Sequence, residues 1–195
     1  MKAIELSRSS REGRATRSAQ TKAQRVRSAT GRRRLDVTVQ IATDRRGVPH
    51  ARTLASWAQA AYESAERSLP KLTQPRALTI RIVGAPESRR LNRTWRGKDK
   101  PTNVLSFPAG PLETAIPELL ELGDLAVCAP IVAREAQEQG KPVQFHWAHM
   151  IVHGVLHLLG YDHEDERDAQ RMEALEVRIL ARMGIDNPYV DALAA

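Results

Sequence analysis

Residues 143–163 read Val143-Gln144-Phe145-His146-Trp147-Ala148-His149-Met150-Ile151-Val152-His153-Gly154-Val155-Leu156-His157-Leu158-Leu159-Gly160-Tyr161-Asp162-His163, and five of the chain's six histidines fall in this stretch. The apolar spacing predicts a helix from about Val143 to Leu159. His153 and His157 are four residues apart, so on that helix they differ by about 40° in azimuth and lie one above the other. On an unbroken helix His163 would stand about 9 Å further along and far round the cylinder. Gly160 changes this, because glycine takes the left-handed conformation that ends a helix. The chain then turns through Tyr161-Asp162 and returns His163 to the first pair. The pattern H-x3-H-x2-G-x2-H thus supplies three nitrogen ligands and leaves a fourth position open, the arrangement of a catalytic rather than a structural zinc. His149, four residues before His153, is expected to be hydrogen-bonded beside the site rather than to be a ligand.

Working outward, Leu35 to Ala42 alternates apolar and polar residues with β-branched enrichment and predicts a half-buried strand. Leu54, Trp57, Ala58, Ala61 and Ala65 follow one helical face between His50 and Ser68. Leu78–Val83, Val104–Phe107 and Asp124–Cys128 read as three more strands. Short helices are expected over Pro86–Arg96 and Pro130–Gln139, a proline-containing acidic loop over Pro108–Gly123, and a final helix over Glu164–Met183. Strands concentrate in the first two thirds and helices in the last third, so the expected class is α+β, a single domain of about four strands and about five helices.

The chain has 195 residues, 42% of them apolar, with only three Trp, three Tyr and two Phe, so its core must rest on Leu, Val, Ile and Ala. The single cysteine, Cys128, excludes an intramolecular disulfide framework and favours a reducing, cytoplasmic location. Because Cys128 ends an apolar strand, a buried thiol is expected there in preference to a fourth metal ligand. No apolar run reaches the roughly 18 residues of a spanning helix, and no secretory signal is evident.

The net charge of +7 is unevenly placed. Residues 1–34 hold eleven Lys or Arg against Glu5 and Glu12, a net of +9, which leaves −2 on the remaining 161 residues. This arm has few large apolar residues and is expected to be disordered, with the folded domain running over 35–195. It reads equally as a polybasic tether for RNA, gaining affinity by counterion release, or as a solvated tail. An organellar transit peptide is a third reading.

The three-histidine spacing matches that of the metzincin proteases, H-E-x-x-H-x-x-G-x-x-H, except at one position. Where those enzymes carry a glutamate as general base, this chain has Gly154. Asp162, Glu164 and Asp165 are nearby carboxylates, although such a cluster past a helix end suits the N-cap of the next helix.

His153 to His163, preceded by His146-Trp147-Ala148-His149, closely resembles the signature of the YbeY family, bacterial metal-dependent endoribonucleases also called rRNA maturation factors. Two further blocks agree: Leu91-Asn92 with Trp95-Arg96-Gly97-Lys98-Asp99-Lys100-Pro101-Thr102-Asn103-Val104-Leu105-Ser106-Phe107-Pro108, and Leu122-Gly123-Asp124-Leu125. The resemblance implies one zinc ion on His153, His157 and His163. It also implies an endoribonuclease acting on single-stranded RNA in maturation of the 3′ end of small-subunit rRNA and in ribosome quality control. Expected partners are RNA, the small ribosomal subunit, a small-subunit protein and a ribosome-associated GTPase, with no membrane. The family's functional arginine maps onto Arg96, the expected catalytic residue and phosphate ligand, with Lys98 and Lys100 adding field. Ser106 and Asp124 stand at strand ends beside the expected cleft. Two other classes remain open on the residues alone: a non-catalytic ribosome assembly factor with a structural metal, and a metallohydrolase acting on another substrate.

Overall fold

The computed structural model describes residues 22–26, 35–66, 76–110, 121–162 and 165–190. Leu35, Val37 and Val39 are buried, and the polar residues between them are half-exposed, so the expected alternation produces a strand over Leu35–Ile41. Ahead of it runs a short strand, β1 (Lys22–Val26), which makes Leu35–Ile41 β2. The remaining elements are α1 (Ala51–Glu66), β3 (Arg76–Val83), α2 (Ala85–Arg96), β4 (Val104–Pro108), β5 (Glu121–Cys128), α3 (Ala129–Glu138), α4 (Val143–Leu158) and α5 (Glu166–Ala181).

The five strands form one sheet in the order β1-β2-β3-β5-β4. The two inner pairings, β2 with β3 and β3 with β5, are parallel, and the outer strands β1 and β4 are antiparallel to their neighbours. Leu78, Ile80 and Ile82 of β3 face a core shared with Leu54, Ala58 and Tyr62 of α1, with Ile151 and Val155 of α4, and with Ile179 of α5. On the opposite face Arg81 donates to Glu87 of α2 at 2.9 Å and to Gln40 of β2 at 3.1 Å. The architecture is α+β.

The strand β1 lies within residues 1–34, all of which the sequence reading placed outside the folded domain, and it brings the sheet to five strands where about four were expected. Lys22 pairs with Ile41 and Val26 with Val37, so the sheet begins inside the basic arm. An edge strand is held by main-chain hydrogen bonds to its neighbour and does not require the apolar alternation that marks an inner strand. The rest of the arm lies outside the described residues.

The helix α4 is the structural centre. It packs against α1, α3, α5, β4 and β5, and ten of its sixteen residues are buried. At Gly154 it lies close against the sheet. A Cβ there would stand 2.9 Å from one methyl of Leu125 and 3.3 Å from a methyl of Val104. The helix ends as Gly160 predicts, with φ +86°. The Gly160 amide donates to the His157 carbonyl at 3.0 Å, and the Tyr161 amide to the Leu156 carbonyl at 3.0 Å. These are the two closing bonds of a Schellman turn. Among the described residues no helix is long and apolar enough to cross a membrane.

Candidate active site

Beyond its first turn α4 is buried except at His149, His153 and His157, which form a partly exposed stripe. Nε2 of His153 and Nε2 of His157 lie 3.1 Å apart. Nδ1 of His153 lies 2.9 Å from Oε1 of Glu176 on α5. An ionised carboxylate can only accept, so Nδ1 of His153 carries the proton and donates it, and the Nε2 lone pair is left facing His157. Carboxylate, imidazole and outward-facing nitrogen in this order match the way metal-ligating histidines are oriented.

Glu176 is fully buried. Besides His153, it accepts from Nε2 of His149 at 3.1 Å and from the Tyr189 hydroxyl. Burial alone would raise its pKa, but the hydrogen bonds from His149 and His153 outweigh this and hold it at about 2. The Tyr189 phenol is pushed up by burial and by the adjacent Glu176 carboxylate. His149, His153 and Glu176 each offer a donor atom within 4.8 Å of the others, so this group too could hold a cation.

His153 therefore belongs to two cavities. One, of about 200 Å³, is lined by His149, Glu176 and Tyr189 among others. The other is an open cleft of about 1260 Å³ whose walls include His153, His157, Arg96, Ser106, Asp124 and Asp162. The structure thus brings Arg96, at the end of α2, to the same cleft as the two histidines, and places Ser106 and Asp124 there as expected. Ser106 donates to the Gly154 carbonyl at 3.2 Å, tying β4 to α4 beside the histidines. Lys98 and Lys100 are exposed in the turn after α2 and are not among the described residues lining the cleft. Their main chain is held by Asn92, whose carbonyl accepts from the Lys98 amide at 3.3 Å and whose side chain donates to the Lys100 carbonyl at 2.7 Å. His163 and Glu164 lie outside the described residues.

Cys128 is buried with Val83 and Ile131 in a separate small cluster, so it is a core thiol as expected. Asp165 caps α5 by accepting from the Asp168 amide at 2.8 Å, which also follows the expectation. The sequence reading did not single out Glu176, Tyr189 or Trp95. Glu176 had a signal: it falls among Met172, Leu175, Ile179 and Leu180, a carboxylate on the apolar face of a helix. Tyr189 had none, because only the folded chain brings it back to α5.

The family profile of Endoribonuclease YbeY matches residues 38–184. An Endoribonuclease YbeY from Halorhodospira halophila is 56% identical over 143 residues, which is 72% of this chain and 88% of that protein. Those of Alkalilimnicola ehrlichii and Stenotrophomonas maltophilia (strain K279a) are each 51% identical, over 80% of this chain and 91% and 94% of their own lengths. With this match over most of its length, and with histidines and arginine meeting in one cleft, the chain belongs to the YbeY endoribonuclease family.

Proposed function

We propose that the protein is a zinc-dependent endoribonuclease that cuts single-stranded RNA. In this reading it matures the 3′ end of small-subunit rRNA in the cytoplasm and takes part in ribosome quality control. The observation that carries this reading is the pair of Nε2 atoms of His153 and His157, 3.1 Å apart on the wall of the cleft that Arg96 also lines. The donor set suits zinc: two imidazoles converge, one of them has its tautomer set by Glu176, and His163 follows three residues after Gly160 in the sequence. His153, His157 and His163 are the proposed ligands. Bound there, zinc supplies Lewis-acid stabilisation of phosphoryl charge and lowers the pKa of water toward about 7.

The chain's own groups bind and orient. Arg96 offers a planar fork for two oxygens of one phosphate and stabilises the extra negative charge of the transition state. Glu176 holds the His153 ring, and Lys98 and Lys100 add positive field from the turn after α2. RNA in the small ribosomal subunit is the proposed substrate, with a small-subunit protein or a ribosome-associated GTPase as docking partner.

The test is incubation of zinc-loaded protein with structured and with single-stranded RNA, alongside Arg96→Ala and Arg96→Lys. Cleavage of the single-stranded RNA is expected, with both variants slower by about 10²-fold, or about 3 kcal/mol, at unchanged zinc content. Lysine keeps the charge but cannot present two parallel donors. A fully active lysine variant would reduce Arg96 to a general field, and a fully active alanine variant would remove it from the reaction. Failure to cut any RNA would favour an assembly factor with a structural metal.

A further inference from the structure

Trp95 is 68% exposed, more than the other exposed large apolar side chains described, Tyr189 at 44% and Val190 at 59%. It sits in the last turn of α2, a helix that buries only Ser88 and Asn92, so the core makes no use of the indole. Phe107 of β4 meets it edge to face, with ring centroids 5.8 Å apart and planes at 67°. That contact fixes the ring without covering it. Trp95 and Phe107 both line the cleft that holds Arg96, His153 and His157. Arg96 follows Trp95 directly and lines the same cleft, and Lys98 and Lys100 are exposed in the turn just beyond. A flat apolar surface set among cations beside a phosphate-binding arginine suits a ligand that is both aromatic and polyanionic, and an apolar protein partner would leave those charges unmatched.

We propose that Trp95 is a stacking platform for an unpaired base of the RNA strand whose phosphate engages Arg96, and that it gives the site its preference for single strands. This rests on the ribonuclease reading above. A base in a duplex has its faces covered by its neighbours, whereas a splayed base offers a π face to an indole. Stacking is tolerant of base identity, so the platform selects for unpairedness rather than for sequence.

The experiment compares zinc-loaded wild type with Trp95→Ala, Trp95→Leu and Trp95→Phe on a short single-stranded 2′-O-methyl oligonucleotide, on the same strand in a duplex, and on a set in which one base at a time is replaced by an abasic residue. Binding is read by fluorescence anisotropy, and cleavage is followed separately on the ribose form. Trp95→Ala and Trp95→Leu should lose about tenfold in single-strand affinity (about 1.4 kcal/mol). Duplex affinity and the salt dependence of binding should stay unchanged, and Trp95→Phe should recover most of the loss. Leucine keeps the apolar bulk, so its failure separates stacking from mere filling. At one abasic position the wild type should weaken as much as Trp95→Ala does, and that position should then be silent in the alanine variant. An abasic penalty of equal size in wild type and Trp95→Ala at every position would overturn the platform while leaving the ribonuclease reading intact. Trp95-dependent binding without cleavage of the ribose form would instead remove the ribonuclease reading and leave the platform standing.

Discussion

Glu176 of α5 accepts from Nδ1 of His153 at 2.9 Å across 23 residues of sequence, and this contact turns the Nε2 lone pair of His153 toward His157. It also separates two donor sets that share His153. One is the proposed ligand set His153, His157 and His163. The other is the group of His149, His153 and Glu176.

Metal content of single variants distinguishes them. His153→Ala, His157→Ala and His163→Ala should each abolish stoichiometric zinc, whereas His149→Ala should retain it. Glu176→Gln should keep the metal but weaken it by about 10- to 100-fold in competition with a chelator, the usual effect of removing an orienting carboxylate. Complete zinc loss in His149→Ala with full retention in His157→Ala would move the site to the other set.

Gly154→Glu would copy the protease motif in sequence, yet the side chain has nowhere to go. Its Cβ would already press on Leu125 and Val104 at 2.9–3.3 Å, so the carboxylate would be forced against apolar side chains. A loss of about 3 kcal/mol or more in unfolding free energy is expected from denaturant titration, with no peptidase activity. A stable, chelator-sensitive peptidase would contradict this packing.

Acid should weaken the contact between α3 and α4. His146, which is buried, donates from Nε2 to Glu135 at 2.8 Å, and Asn103 donates to the same carboxylate at 3.1 Å. Burial raises the Glu135 pKa, but these hydrogen bonds outweigh it and leave the group below its ordinary 4.5. The folded state therefore binds this proton more weakly than the unfolded one. The stabilisation is fully present above about pH 4.5 and is lost as pH falls through the lowered value. Urea titrations across this range should show a steeper decline for wild type than for Glu135→Gln. Parallel profiles would remove Glu135 as a source of acid sensitivity.

Two truncations of the basic arm should behave differently. Removing residues 1–21 takes away five cations and leaves β1 in place, so the melting temperature should hold while RNA affinity falls. Its salt dependence should flatten by about 0.7 in log–log slope for each lost phosphate contact with a single strand. Removing residues 1–34 also strips β1 from the edge of β2 and should lower the melting temperature. Equal melting temperatures for the two truncations would show that β1 contributes nothing to stability.

What the chain determined by itself is local. Leu35, Val37 and Val39 repeat every second residue and made β2 legible. His153 and His157 repeat every fourth and placed two imidazoles on one face of α4. Gly160 stopped that helix where a left-handed turn was needed. Each depends on neighbours within one turn or one pleat, where spacing and backbone sterics suffice. Tertiary structure alone decided the order β1-β2-β3-β5-β4, the recruitment of Lys22–Val26 as an edge strand, the delivery of Arg96 and Trp95 to the histidine cleft, and the burial of Glu176 beneath His149, His153 and Tyr189. The reason is physical. A strand edge pairs through main-chain groups that every residue carries, and a buried carboxylate is tolerable only where donors from other elements converge on it, so neither leaves a periodic trace in its own segment.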